Sequence, residues 1–182
     1  MYILKRQVGR MKRIAKFEKV SFAEFEKCYK EFCESAAEST PDAETVYGEI
    51  VLPKRATVGS AGYDFRSTCS VMLQPGESVK IPTGIRVRME ENWVLMLYPR
   101  SGLGYRYRMQ LANTVGVIDS DYYGSDNEGH IQIKITNDSR DGKVLQINAG
   151  DAFAQGVFTE YGITEDDDVT STRNGGFGST SN

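Results

Sequence analysis

The sequence predicts an all-β sandwich or jelly roll with one amphipathic helix in its N-terminal region. Three observations carry this. GIRVRM sets Ile85, Val87 and Met89 against Arg86 and Arg88, and Ile131, Ile133 and Ile135 alternate with Gln132, Lys134 and Thr136. That period of two is the mark of a half-buried strand. Turn-forming clusters, QPGES, PTG, NDSRDGK and NAGD, separate the alternating runs, which suits short strands joined by turns rather than repeated βαβ units. One stretch alone has helical spacing: Phe22, Phe25, Tyr29, Phe32 and Ala36 fall at intervals of 3, 4, 3 and 4, one apolar stripe.

The elements follow in order. MYILKRQVGRMKRIAK is basic but has no continuous apolar stretch or small-residue cleavage site, so it does not read as a signal peptide; Met11 is an alternative start. Ser21 with Glu24 forms a capping box, and Val20 can staple onto Phe25. The helix should end before Thr40-Pro41, and its stripe reads as packing, not chemistry. Residues 1–45 thus form a strand and helix packed on the body, residues 46–163 the sandwich, and 164–182 a tail. TEDDD, 164–168, reads as a solvated acidic run. STRNGGFGSTSN has no periodic signal and reads as disordered, yet it carries an arginine and a large aromatic.

Composition narrows the function. With 182 residues the chain suits one domain, and a net charge of −3 gives no general affinity for nucleic acid. The run Trp93-Val94-Leu95-Met96-Leu97 is far short of the roughly 20 apolar residues of a membrane span. Cys28, Cys33 and Cys69 are odd in number and lack CxxC spacing, which favours a reduced, cytoplasmic setting without disulfides. His130 is the single histidine; with no second to share a metal, it reads as a surface loop residue.

Several segments carry candidate chemistry, and each has a plain alternative. PRSGLG, Pro99 to Gly104, has small residues whose N–H groups can converge on an anion, with Arg100 to pair with phosphate; taken alone it reads first as a turn with an exposed arginine. GGFGST, 175–180, with Arg173 before it, is similar. Neither contains GxxxxGK[ST], which excludes a P-loop hydrolase. Asp64 in SAGYDF is either a site carboxylate or a turn residue. Gln155, in the apolar AFAQGVF, needs partners for its amide, structural or functional. Asp119 stands directly behind Val117-Ile118 in GVIDSDYYGS, where a carboxylate is costly unless paired; it belongs to a tight turn or to chemistry.

The order of these segments decides more than any one of them. AGYDF, PRSGLG, GVIDSDY, AQ and GGFGST, separated by strands, resemble the five ordered motifs of the homotrimeric dUTP diphosphatases (dUTPases). The resemblance runs from about Lys12 to the C-terminus, and RIAKFEKVSF resembles the version in Gram-positive bacteria and their phages. It implies a distorted jelly-roll β-sandwich, assembled as a homotrimer whose active sites are shared between chains. It implies hydrolysis of dUTP to dUMP and pyrophosphate by water attack on the α-phosphorus, limiting uracil in DNA and supplying dUMP. Asp119 matches the aspartate that deprotonates the water. Tyr122 matches the tyrosine that packs on deoxyribose and leaves no room for a 2′-hydroxyl. Asn113, with the backbone of Gly116, Val117 and Ile118, matches the reader of the uracil edge. Arg100, Ser101, Gly102 and Gln155 match phosphate contacts. The implied cofactor is Mg²⁺, held mainly by phosphate oxygens and water, with Asp64 touching it through water at most. The tail resembles an arm that closes over the site, Phe177 stacking on uracil while Arg173, Gly178, Ser179 and Thr180 reach the phosphates. Phage members of the family can also bind repressor proteins, so the resemblance adds a repressor as the partner to test for a phage-encoded chain.

Departures are visible. Many members carry arginine where Ala152 stands, three residues before Gln155. The arm's arginine lies four residues before the phenylalanine, where many members have five. SDNEG, 125–129, is longer and more acidic than the usual turn. A dCTP deaminase shares the implied fold but needs a glutamate-based site, and the Asp119/Tyr122 hairpin with GGFGST argues against it.

Overall fold

The computed structural model describes residues 11–35, 40–171 and 173. In chain order its strands are β1 (Ala15–Lys19), β2 (Lys54–Arg55), β3 (Tyr63–Arg66), β4 (Val71–Leu73), β5 (Ser78–Met89), β6 (Trp93–Pro99), β7 (Met109–Leu111), β8 (Gly116–Ile118), β9 (Ile131–Asn137), β10 (Leu145–Ile147) and β11 (Ala152–Glu160). Helices α1 (Phe22–Ser35), α2 (Ala43–Glu49) and α3 (Ser101–Tyr107) interrupt them, and a 3₁₀ turn spans Ser120–Gly124. One sheet has the order β1-β5-β9-β7 and another β2-β3-β11-β6-β8, with β4 and β10 as a separate ribbon. The architecture is the expected jelly-roll-like β-sandwich.

Alternation places the core. Ile131, Ile133 and Ile135 of β9 are buried while Lys134 is exposed, and Ile85, Val87 and Met89 of β5 behave alike. Successive side chains point to opposite faces, so each strand gives one face to the interior. Phe65, Leu95, Leu97 and Phe153 from the second sheet join Ile81, Ile131 and Ile135 of the first in one apolar cluster. Phe17 of β1 reaches between the sheets, its ring 5.3 Å from Tyr63 and 5.8 Å from Phe158.

Helix α1 lays Phe25, Tyr29 and Phe32 against this body, with Val20 buried beside them. Half of the expected capping box is present: the Glu24 N–H donates to Ser21 Oγ at 3.2 Å. The other half is replaced. Ser21 N and Oγ donate to the two carboxylate oxygens of Glu128, at 2.7 and 2.6 Å. Glu24 is left to face Cys28 and His130, each 3.4 Å from its Oε1. The sequence led us to expect one helix before the sheets, whereas α2 is a second. Asp42 caps it, accepting from Thr45 N at 2.9 Å, and at seven residues it is too short for a periodic stripe to announce it.

His130 corrects the reading of a surface residue. It is fully buried, because β5 carries a bulge between Pro82 and Ile85 opposite β9. Gly84 sits there with φ +68, a conformation glycine tolerates without strain, and its N–H is lost from the ladder. His130 Nε2 accepts that N–H at 2.9 Å. Burial pulls the imidazole pKa down to about 4, with Glu128 opposing and Lys80 assisting; Glu24 also faces the ring. A folded-state pKa below the unfolded value means that the unfolded chain binds the extra proton, so stability falls as pH drops from about 6.5 toward 4. The loss expected from this group is about 3 kcal/mol. Thermal melts across that range should show it, and His130→Gln, which cannot titrate, should flatten the slope between about pH 6.5 and 4.

Candidate active site

The candidate residues gather in two places. The first lies where β6 ends. Asp64 of β3 stands opposite Gln155 of β11, which stands opposite Tyr98 of β6. Gln155 Nε2 donates to Pro99 O at 3.1 Å, so the amide in the apolar strand has its partner. Arg100 follows Pro99 and forms a close ion pair with Asp64, both side chains partly exposed. Ser101 and Gly102 are exposed beside it. The structure thus brings Asp64, Arg100, Ser101, Gly102 and Gln155 together at one sheet end.

The second place is a splayed hairpin. Strand β7 pairs with β9 in one sheet, while β8 pairs with β6 in the other. The arms part because each is claimed by a different sheet, and they meet only near the tip, where Leu111 bridges Thr114. Thr114 turns the tip with φ 68, and Val115 N donates to Asn113 O at 2.8 Å. A β-branched residue in the left-handed region is strained, and such strain collects at ligand clamps. Between the arms lies a cavity of about 370 Å³ bordered by Leu97, Leu111, Asn113, Gly116, Val117 and Ile133, of a size and apolar character suited to a small ligand. A Cβ on Gly116 would come to 3.0 Å from Leu97 Cβ, so glycine lets β8 lie this close to β6 without pushing Leu97 aside.

Asp119 follows β8 and opens the 3₁₀ turn. It does not stand unpaired: Arg173 Nη2 donates to Asp119 Oδ2 at 2.6 Å, and Arg173 Nε to Asp121 Oδ1 at 3.1 Å. The same guanidinium lies 5.6 Å from the centre of the Tyr122 ring. Tyr122 is buried, its hydroxyl donating to His130 O at 3.0 Å and accepting from Asn127 Nδ2 at 2.8 Å. Burial raises its phenol pKa. Asp121, Asn127 and Glu128 are not among the candidate site residues of the sequence, and His130 reads there as a surface loop residue; for Asn127 and Glu128 the unusual length of SDNEG is the one signal in the sequence. Phe177, Gly178, Ser179 and Thr180 lie outside the described residues.

Strand register separates the two places within one chain. Ile118 stands opposite Leu95, which sets Asp119 level with Val94. Arg100 lies about six residues further along, so at about 3.3 Å per residue the two are roughly 20 Å apart.

One grouping among the described residues has the atoms of a metal site: Glu24, Cys28 and His130 converge with ligand atoms within 4.8 Å of one another. Its hydrogen bonding opposes that use. Because His130 Nε2 accepts from Gly84, the ring proton sits on Nδ1, the atom facing Glu24. A metal on Nδ1 would force a proton against the Gly84 N–H. Burial also pushes the Cys28 thiol up to about 12, keeping it protonated. The cluster is a hydrogen-bonded brace.

A sequence profile of the dUTPase family matches residues 48–181. The deoxyuridine 5′-triphosphate nucleotidohydrolase of Lactococcus lactis subsp. lactis (strain IL1403) is 40% identical over 134 residues, covering 72% of this chain and 88% of the relative. The crystal structure of dUTPase from Streptococcus mutans superposes with a TM-score of 0.59 at 31% identity, covering 82% of this chain and 98% of that one. A point mutant of the dUTPase from phage phi11 of S. aureus, whose structure describes the coordination of a structural Mg(II) ion, superposes with a TM-score of 0.55 at 27% identity over 66% of this chain and 90% of that one.

Proposed function

The chain belongs to the dUTPase family, and from that premise we propose that it hydrolyses dUTP to dUMP and pyrophosphate with Asp119 as general base. Water attacks the α-phosphorus, its proton passes to the Asp119 carboxylate, and the bond from the α-phosphorus to the bridging oxygen breaks, releasing pyrophosphate. The observation that carries this assignment is the position of Asp119: a half-exposed carboxylate fixed at the end of β8, beside the cavity of the splayed hairpin, with a guanidinium already on it. A base must be held within hydrogen-bond reach of its proton, and a strand end holds it better than a loop.

In this reading uracil enters between β7 and β8, where Asn113 and the backbone of Gly116, Val117 and Ile118 pair with its edge. Cytosine presents the opposite donor and acceptor pattern and would leave those groups unpaired, which gives strong discrimination. The sugar lies on Tyr122, on the face that Arg173 covers in the free chain. Arg100, Ser101, Gly102 and Gln155 take the phosphates. Arg173 then exchanges Asp119 and Asp121 for the more highly charged triphosphate, and the arm with Phe177, Gly178, Ser179 and Thr180 closes the site against water.

The residues at the phosphate side suit an Mg²⁺ carried by the nucleotide. Asp64 is taken by Arg100, so its carboxylate would meet such an ion through water, and the triphosphate oxygens would supply the ligands. When bound, the ion neutralises phosphate charge. The roughly 20 Å between Asp119 and Arg100 in one chain favours sites completed by a neighbour, as in a homotrimer.

The test is to measure pyrophosphate release from dUTP, dCTP, dTTP and UTP side by side. Turnover of dUTP alone is expected, and comparable rates on dCTP would remove the assignment.

A further inference from the structure

The segment 125–130 has no part in the chemistry so far, yet it encloses the one phenol that the reading above places against the sugar. Tyr122 offers a single hydroxyl with one proton to give and lone pairs to fill, and this segment answers both needs. The hydroxyl donates to the backbone oxygen of His130 and accepts from Asn127 Nδ2. The Asn127 amide is itself oriented, since Gly129 N donates to its Oδ1 at 3.2 Å, which turns the NH₂ toward the phenol.

The segment is braced at two points. Glu128 clamps Ser21 at the start of α1 through both carboxylate oxygens, and it holds φ 57 to do so. His130 is fastened by Gly84 and faces Glu24. Gly129, at φ +70, lets the loop lie directly on the 3₁₀ turn; a Cβ there would come within 2.7 Å of Tyr122 O and 2.8 Å of Tyr123 Cα. A loop that needed only to connect β8 to β9 would have no use for this arrangement.

We propose that Asn127, with the backbone carbonyl of His130, positions Tyr122 and thereby sets how strongly the site prefers deoxyribose to ribose. The proposal rests on Tyr122 being the sugar-facing residue. A ring pinned at its hydroxyl cannot tilt away to admit a 2′-oxygen. A ring that has lost the Asn127 bond can. Asn127 touches no substrate, so its effect passes through the ring.

The experiment compares kcat/KM for dUTP and for UTP, because a general loosening of the site lowers both and cancels in their ratio. Asn127→Ala and the near-isosteric Asn127→Leu, which keeps the volume and can neither donate to the phenol nor accept from it, are expected to reduce the dUTP/UTP ratio by roughly 3–10-fold, the worth of one hydrogen bond. In a Tyr122→Phe background, Asn127→Ala should change the ratio no further, since the bond is already gone. Asn127→Leu remains informative should Asn127→Ala fail to fold. If Tyr122→Ala lowers the ratio while both Asn127 variants keep the wild-type value, Asn127 is a loop residue only and the proposal is overturned. If Tyr122→Ala itself leaves the ratio unchanged, the assignment of Tyr122 to the sugar is wrong and the proposal falls with it.

Discussion

Asp119→Asn is expected to lower kcat for dUTP by roughly 10²–10⁴-fold, the usual contribution of a general base, while the nucleotide still binds. The amide keeps the size and rotamers of the carboxylate, and β8 holds its backbone through the ladder to β6, so the cavity between the hairpin arms should survive. What disappears is the acceptor proposed to take the proton from water. The substitution also weakens the Arg173 pair, which in the free chain neutralises Asp119 and Asp121 together. Losing that competitor should leave affinity for the triphosphate at least as high. Single-turnover kinetics separate the two effects, and a non-hydrolysable imido analogue of dUTP reports binding directly. A variant whose single-turnover rate stays within a few-fold of wild type would mean that another group activates the water.

The sandwich was legible because its strands obey a strict period. The isoleucines of β9 and the Ile85, Val87 and Met89 side of β5 declare their buried faces residue by residue, and the stripe of α1 does the same at helical spacing. Helix α2 was not, since seven residues give barely two turns and its one local signal was the cap at Asp42. Candidate site residues could be named from ordered motifs, but their pairings could not. Arg100 meets Asp64 and Arg173 meets Asp119 only because non-adjacent strands and the returning chain bring them together, at separations of 36 and 54 residues. His130 shows the limit most clearly. Its burial depends on a bulge 46 residues away that frees one N–H, and nothing in the local sequence states that an N–H there lacks a partner. The same holds for Asn127, whose contact with Tyr122 exists only once Glu128 and Gly129 take positive φ.

Two inactive variants are expected to restore each other when their chains are mixed. Asp119→Asn removes the proposed base beside one end of β6, and Arg100→Ala removes the proposed phosphate ligand from the other, roughly 20 Å away along the strand. Water attack at the α-phosphorus needs both near a single triphosphate, and a separation of roughly 20 Å within one chain favours taking them from two. If each site takes Asp119 from one subunit and Arg100 from a neighbour, about one third of the sites in a mixed cyclic trimer keep both groups intact. Arg100→Ala also frees Asp64 from its ion pair, so the variant's own folding should be checked by its melting temperature before mixing. The two chains, carrying different tags, would be co-expressed and the doubly tagged species isolated. Its dUTP turnover should rise far above that of either parent, and light scattering should give the mass of a trimer. Turnover no higher than the parents, in a verified mixed trimer, would mean that Asp119 and Arg100 serve the same site from the same chain. The register of β6 with β8 would then have to change on nucleotide binding to bring them together.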